Sequence, residues 1–314
     1  MSARVGRVDH AAADAGPAAS RAGGGGRARR DRTPWLLLTP NLIWLALFMA
    51  GSLVTLGIIS LRGYEPGGRG ILDTWELTHY ASFLGDPYYR AVLWRSLGMA
   101  AHVTAWCLVL GFPLAYALSR LRGVARALLY FAILMPLLTS AVVRTFGWMI
   151  LLSNNGFINQ TLIGLGLIDQ PIVMMYRMTG IVIALVEVLL PFMVLALDAA
   201  LLNINPHLYE AARNLGARGP RIFLRITLPL SLPGIVSGSV LVFTLAISAF
   251  VTPSLIGGPR VEVMATLIYQ ESMALLNWPS GAAIAFVMLF TLLVLFALTF
   301  QLAGRARAAE AAGR

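Results

Sequence analysis

The sequence contains no lysine, and only one cysteine among its 314 residues. Cys107 lies alone inside an apolar run, which excludes an intrachain disulfide and a cysteine metal cage and reads as a small buried hydrophobe. The four histidines, His10, His79, His102 and His207, have no HExxH spacing, so no metal site is expected. Without lysine there is no GxxxxGK[ST] phosphate loop, and no Ser-His-Asp grouping falls at one depth of the chain, so no catalytic residues are expected. Charge is scarce as well. Charged residues make up 12% of the chain, about half the usual soluble share. Such a composition excludes an ordinary soluble domain and a disordered chain.

What is present is apolar. Hydrophobic residues make up 58% of the chain and the mean hydropathy is +0.76. Six runs are long enough to cross about 30 Å of hydrocarbon, which takes roughly 20 helical residues. They are residues 35–61, 93–119, 127–152, 178–202, 228–250 and 279–303. Unpaired amides are too costly in lipid for anything but helix or closed barrel, and the dyad alternation of a barrel is missing. The expected fold class is therefore an all-α membrane protein with six transmembrane helices. Residues 1–33 form a basic, Gly- and Arg-rich tail expected to be disordered. Residues 34–304 form the transmembrane domain, and 305–314 a short second tail.

The net charge of +10 comes entirely from arginine. In a soluble protein it would suggest nucleic acid, but these arginines lie between apolar runs. Seventeen of the 24 fall in the N-terminal tail, residues 120–126, 203–227 and the C-terminal tail. The positive-inside bias puts both termini and the loop between spans four and five in the cytoplasm. Trp75, Trp94, Trp148 and Trp278 then fall near the outer boundary, where interfacial aromatics collect. Residues 154–169 suggest a short helix on the outer face or a cap over a central cavity.

The loop between spans four and five is the most informative stretch. Asn205 suits an N-cap and Pro206 the first helical position. Leu208, Ala211, Ala212 and Leu215 recur at i, i+3, i+4 and i+7, one apolar stripe of a helix. Glu210 stands on the other side, Gly216 suits a left-handed stop, and Pro220 opens a second helix. The stripe has two readings: a helix resting on lipid, or one entering a protein groove that accepts small alanines closely.

Within the spans, Glu187 is the deepest charge, midway along span four. It is either a carboxylate lining the path of a cationic solute or a group satisfied by packing in the bundle. Arg144, near the outer end of span three, either lines or gates that path, pairing an anion, or snorkels to the interface. Trp148 either stacks on an ammonium group or anchors at the boundary. Asp198, near the cytoplasmic end of span four, reads as a solvated or paired helix-end group rather than a substrate contact.

The loop residues Glu210, Ala211, Ala212, Gly216, Leu228 and Pro229 resemble, in type, spacing and position, the EAA coupling loop of ABC-importer permeases of the binding-protein-dependent (MetI-like) family. Residues 142–159, 189–201 and 250–260 are similar to its spermidine/putrescine branch. The resemblance implies a multi-pass permease subunit of the bacterial inner membrane. Its expected partners are a cytoplasmic ATPase dimer that uses the ATP, a second, related permease subunit, an extracytoplasmic solute-binding protein and the lipid bilayer, with no nucleic acid and no cofactor on this chain. Glu210, Ala211, Ala212 and Gly216, with Leu208 and Leu215, would contact the ATPase. A different small solute, or a stand-alone secondary transporter, are the alternatives.

Overall fold

The computed structural model describes residues 33–65, 67 and 70–312. The expected tail at 1–33 lies outside the described residues except for Thr33, which opens the first helix. That helix, α1, runs Thr33–Ser60. It carries the boundary between two units, residues 1–51 and 52–314. In the first unit the rings of Trp44 and Phe48, one turn apart, stack at 4.5 Å.

In the second unit a two-stranded antiparallel hairpin follows, β1 (Arg62–Glu65) and β2 (Gly70–Trp75), pairing Arg62 with Trp75 and Tyr64 with Ile71. This corrects the all-α expectation. Tyr64 and Ile71 are β-formers whose alternation over four and six residues is too short to stand out beside the apolar spans. Arg62 ties the hairpin together, bonding Asp73 at 2.9 Å and lying over the Trp75 ring at 4.8 Å. A short helix, α2 (Thr78–Gly85), leads into α3 (Pro87–Arg120). Asp86 caps α3 by accepting from the Tyr88 amide, and Pro87 takes the first position, as both residue types favour.

The expected third span is not one helix. It is α4 (Gly123–Leu134), a 3₁₀ turn at Met135–Leu138 and α5 (Ala141–Leu152). The axis of residues 123–138 is bent by 97° from that of residues 141–164, which runs on through the next short helix. Pro136 withholds an amide from the ladder, and Thr139 is extended, so the axis turns there. The short helix expected within 154–169 is α6 (Phe157–Gly164).

α7 (Met178–Leu202) is buried through more than half of its apolar window, as a helix apolar on all sides requires. After it come α8 (Pro206–Asn214), α9 (Gly219–Ile222), a π turn at Phe223–Thr227 and α10 (Leu228–Leu230). The axis then bends by 60° into α11 (Leu232–Ile247). Pro229 and Pro233 flank that bend, so the expected fifth span is also broken. A second π turn (Pro253–Gly257), α12 (Met264–Tyr269), a third π turn (Gln270–Ala274) and α13 (Trp278–Ala312) complete the chain. The helix of α13 passes through the boundary expected at 304 without a break.

Among the described residues, four helices are long and apolar enough to cross a membrane, and up to six spans result if each bent pair counts as one. The core is the packing of α3, α7 and α11, built from residues such as Met99, Val103, Cys107, Met193, Leu197 and Ala246. Small residues set the α7–α11 approach. A Cβ on Gly234 would stand 2.4 Å from Ala200 Cβ, and one on Gly238 would stand 2.8 Å from Met193 Sδ and 3.1 Å from Ala196 Cβ. Gly234 and Gly238 thus face Ala196 and Ala200, two small-xxx-small pairs that let the backbones meet closely.

Candidate functional site

The loop after α7 folds as its sequence requires. Asn205 accepts from the His207 amide at 3.0 Å and Pro206 occupies the first turn of α8. At the other end the Ala217 amide reaches the Ala212 carbonyl at 2.9 Å while Gly216 sits at φ 77°. This is the left-handed ending that glycine makes without strain.

The apolar stripe of α8 is open. Leu208 is 44% exposed and Leu215 88%, and Ala211 and Glu210 are exposed beside them. Among the described residues Glu210 pairs with a neighbour on its own helix, His207, at 3.1 Å. A flanking face is anchored. Arg120, the last residue of α3, lies between the rings of Tyr116 and Tyr209, at 5.0 and 4.8 Å. Thr227 donates to the Tyr209 hydroxyl at 3.4 Å. Phe223, opening the first π turn, sets its ring edge-on to Phe112 and Tyr116 at 5.5 and 5.9 Å. Both arms of the loop therefore stand on the end of α3. Sequence reasoning missed Arg120, Tyr116, Tyr209 and Phe223. The one available signal was an aromatic beside the acid of the motif, about 100° around the helix from Leu208.

The three residues expected within the spans come together. Arg144 on α5 and Glu187 on α7 form an ion pair, Nε to Oε2 at 3.6 Å, and Trp148 Nε1 donates to the same oxygen at 3.3 Å. Arg144 also donates from Nη1 to the Pro136 carbonyl, across the 97° bend. Its Nε is buried without a hydrogen-bond partner among the described residues. The Arg144 side chain is 13% exposed and Glu187 28%. The Glu187 carboxylate is thus occupied by the chain's own cation, and Trp148 is drawn to it. On the residue after Arg144, the Thr145 hydroxyl lies 3.4 Å from that of Thr252.

A second ionic group ties α4 to α7. Asp198, 1% exposed, accepts from Arg126 Nη2 at 3.0 Å and from the Tyr130 hydroxyl. Its Oδ1 has no partner among the described residues. Of the two readings of Asp198, the structure shows the paired one.

Comparison with known proteins gives a consistent result. The family "Binding-protein-dependent transport system inner membrane component" matches residues 107–308. The spermidine/putrescine transport system permease protein PotB of Salmonella typhimurium (strain SL1344) is 38% identical over 76% of this chain and 83% of that protein. PotB of Haemophilus influenzae is 35% identical over 80% and 84% of the two chains. Among solved structures, a bacterial alginate ABC transporter in complex with an alginate pentasaccharide-bound periplasmic protein aligns with a TM-score of 0.71. It is 18% identical, over 86% of this chain and 93% of that chain.

Proposed function

The chain belongs to the binding-protein-dependent transport system inner membrane component family, and from that premise we propose that it is the permease subunit of an ATP-driven importer of polyamines. It is a multi-pass inner-membrane protein. The substrate class rests on the relatives named as spermidine/putrescine permeases along most of their length. The observation that carries the mechanism is the division of α8 into two faces. One is fixed to α3 through Arg120 and Tyr209, and the other holds Leu208, Ala211 and Leu215 open, with Glu210 exposed on the far side of the helix from that stripe.

An apolar stripe left open on an anchored helix suits a partner groove. Here the partner is a cytoplasmic ATPase dimer, which uses the ATP. Glu210, Ala211, Ala212 and Gly216, with Leu208 and Leu215, make the contact. Because α3 and α7 both end at this loop, a push on α8 is delivered to the core of the bundle. The arginine asymmetry supports placing this loop and both termini in the cytoplasm.

A second, related permease completes the path. Val143, Phe146 and Ile150 leave an apolar stripe of α5 exposed beside Arg144, a face that lipid or that subunit covers. A solute-binding protein delivers substrate from outside. Arg144, Glu187 and Trp148 act as a gate that is closed by their mutual pairing. A polyammonium ion passing them competes with Arg144 for the carboxylate, and Arg144 itself repels the cation while the pair is intact.

The test is uptake of labelled putrescine and spermidine by cells lacking their native transporter, with and without this subunit and its partners. Uptake that needs the subunit and is lost in Glu210→Arg supports the proposal. Uptake unchanged by deleting the subunit, while the protein still copurifies with an ATPase, rejects the polyamine assignment and keeps the ATPase contact.

A further inference from the structure

A carboxylate far from the Arg144 group is buried without a cation. Glu271 lies in the third π turn and is 8% exposed. Among the described residues its side chain accepts one hydrogen bond, from the Tyr89 hydroxyl to Oε1 at 3.3 Å. No arginine nitrogen of the described residues comes within 4 Å of it. An unpaired charge at that depth is costly. The Glu271 side chain opens on a cavity of about 350 Å³ shared by α2, the start of α3, the π turn and the start of α13. That is within the range of about 300 to 1,000 Å³ usual for small-molecule pockets.

Its wall also carries His79, Phe83, Tyr89, Asn277 and Ser280. The rings of Phe83 and Tyr89 sit 5.6 Å apart. Asn277 holds the turn in place, donating its amide to the Glu271 carbonyl at 2.8 Å while its side chain accepts from the Ser280 amide. Gly281 lets α13 lie against the turn, since a Cβ there would stand 2.0 Å from Ser272 Oγ. The cavity shares no residue with the Arg144 group.

The donor set selects the ligand. One carboxylate, hydroxyls and two aromatic rings suit an ammonium group, which donates three hydrogen bonds and is attracted to ring faces. A metal ion would need more hard ligands, and no three His, Cys, Asp or Glu side chains among the described residues converge to hold one. We infer that the Glu271 cavity is a binding site for a primary alkylammonium group, separate from the transport path. Glu271 neutralises the ammonium, and Phe83 and Tyr89 cover its alkyl carbons. The site does not depend on which solute is carried.

The single native thiol, Cys107, is buried, so one introduced cysteine can report on the cavity. Ser82 lines it and is exposed. In the complete transporter in lipid nanodiscs, a Ser82→Cys variant is labelled with a thiol reagent while ethylammonium, putrescine or neutral 1-propanol is added. The amines are expected to slow labelling about tenfold at saturation and propanol to leave it unchanged. Adding Glu271→Gln should abolish the protection while the unprotected labelling rate stays the same, which also shows that the variant is folded. The inference is overturned if ethylammonium gives no protection, if propanol protects equally, or if Glu271→Gln retains protection. Protection seen only with the solute-binding protein present would likewise overturn it, assigning the cavity to that protein's docking. Uptake is not measured, so the result is distinct from that of the polyamine test.

Discussion

Glu187 and Arg144 were each legible as polar residues out of place, but their pairing was not. They are 43 positions apart in the chain, and only the 97° break brings α5 to α7 with Arg144 turned inward. Their connection predicts non-additive behaviour. Arg144→Ala and Glu187→Ala should each reduce uptake, and the double variant should do little further harm, with a coupling of about 0.5–3 kcal/mol. Simple additivity in a double-mutant cycle of uptake rates would separate the two residues. Asp198 behaves differently, because it is sealed inside while its arginine is partly exposed. Arg126→Ala leaves a buried carboxylate without its cation and should lower thermal stability more than Asp198→Asn, which removes the charge together with the need for it. A melting curve for each variant decides this.

At the scale of elements, apolar length located four helices able to cross a membrane and two further runs that fold as bent pairs, and cap chemistry drew α8 almost to the residue. Proline positions were visible in spans three and five, yet hydropathy measures composition rather than direction, so neither bend was read. The hairpin and the π turns were missed for a related reason. They depend on which backbone bonds form after packing and leave little trace in residue type. Two elements carry predictions. Tyr209→Ala should detach the fixed face of α8 and reduce both uptake and copurification of the ATPase. Tyr209→Phe should keep most of both, because the Arg120 stack, worth about 0.5–1 kcal/mol at an exposed site, survives. Where helices cross, Gly238→Val forces a side chain against Met193 Sδ and Ala196. Such overpacking costs about 1–3 kcal/mol, and it should appear as a lower melting temperature in detergent.

For the molecule as a whole, orientation is the property the sequence expresses most directly, through where its arginines are and are not. The buried lone thiol makes it measurable. Ala211→Cys should react with a membrane-impermeant reagent only after the cytoplasmic face is opened, and Ile71→Cys, on the hairpin, in intact spheroplasts. The opposite pattern would invert the topology. The two candidate sites were unequally legible. α8 advertises itself by a local motif, whereas the cavity at Glu271 is gathered from four elements spread over about two hundred positions, and no window of sequence contains it.

The first π turn stands between α8 and the bend into α11, and it holds one residue more than an α-helical turn would. When such a turn tightens, the surplus residue is passed along and the helix beyond it rotates by about 100°, the angle of one residue in a 3.6-residue turn. If the proposed partner pushes on the anchored loop, that thrust would reach α11 as torque, and the Gly–Ala seam against α7 is where the rotation would be absorbed. Deleting a single residue from 223–227 would wind this screw permanently, without removing any contact that α8 offers to a partner.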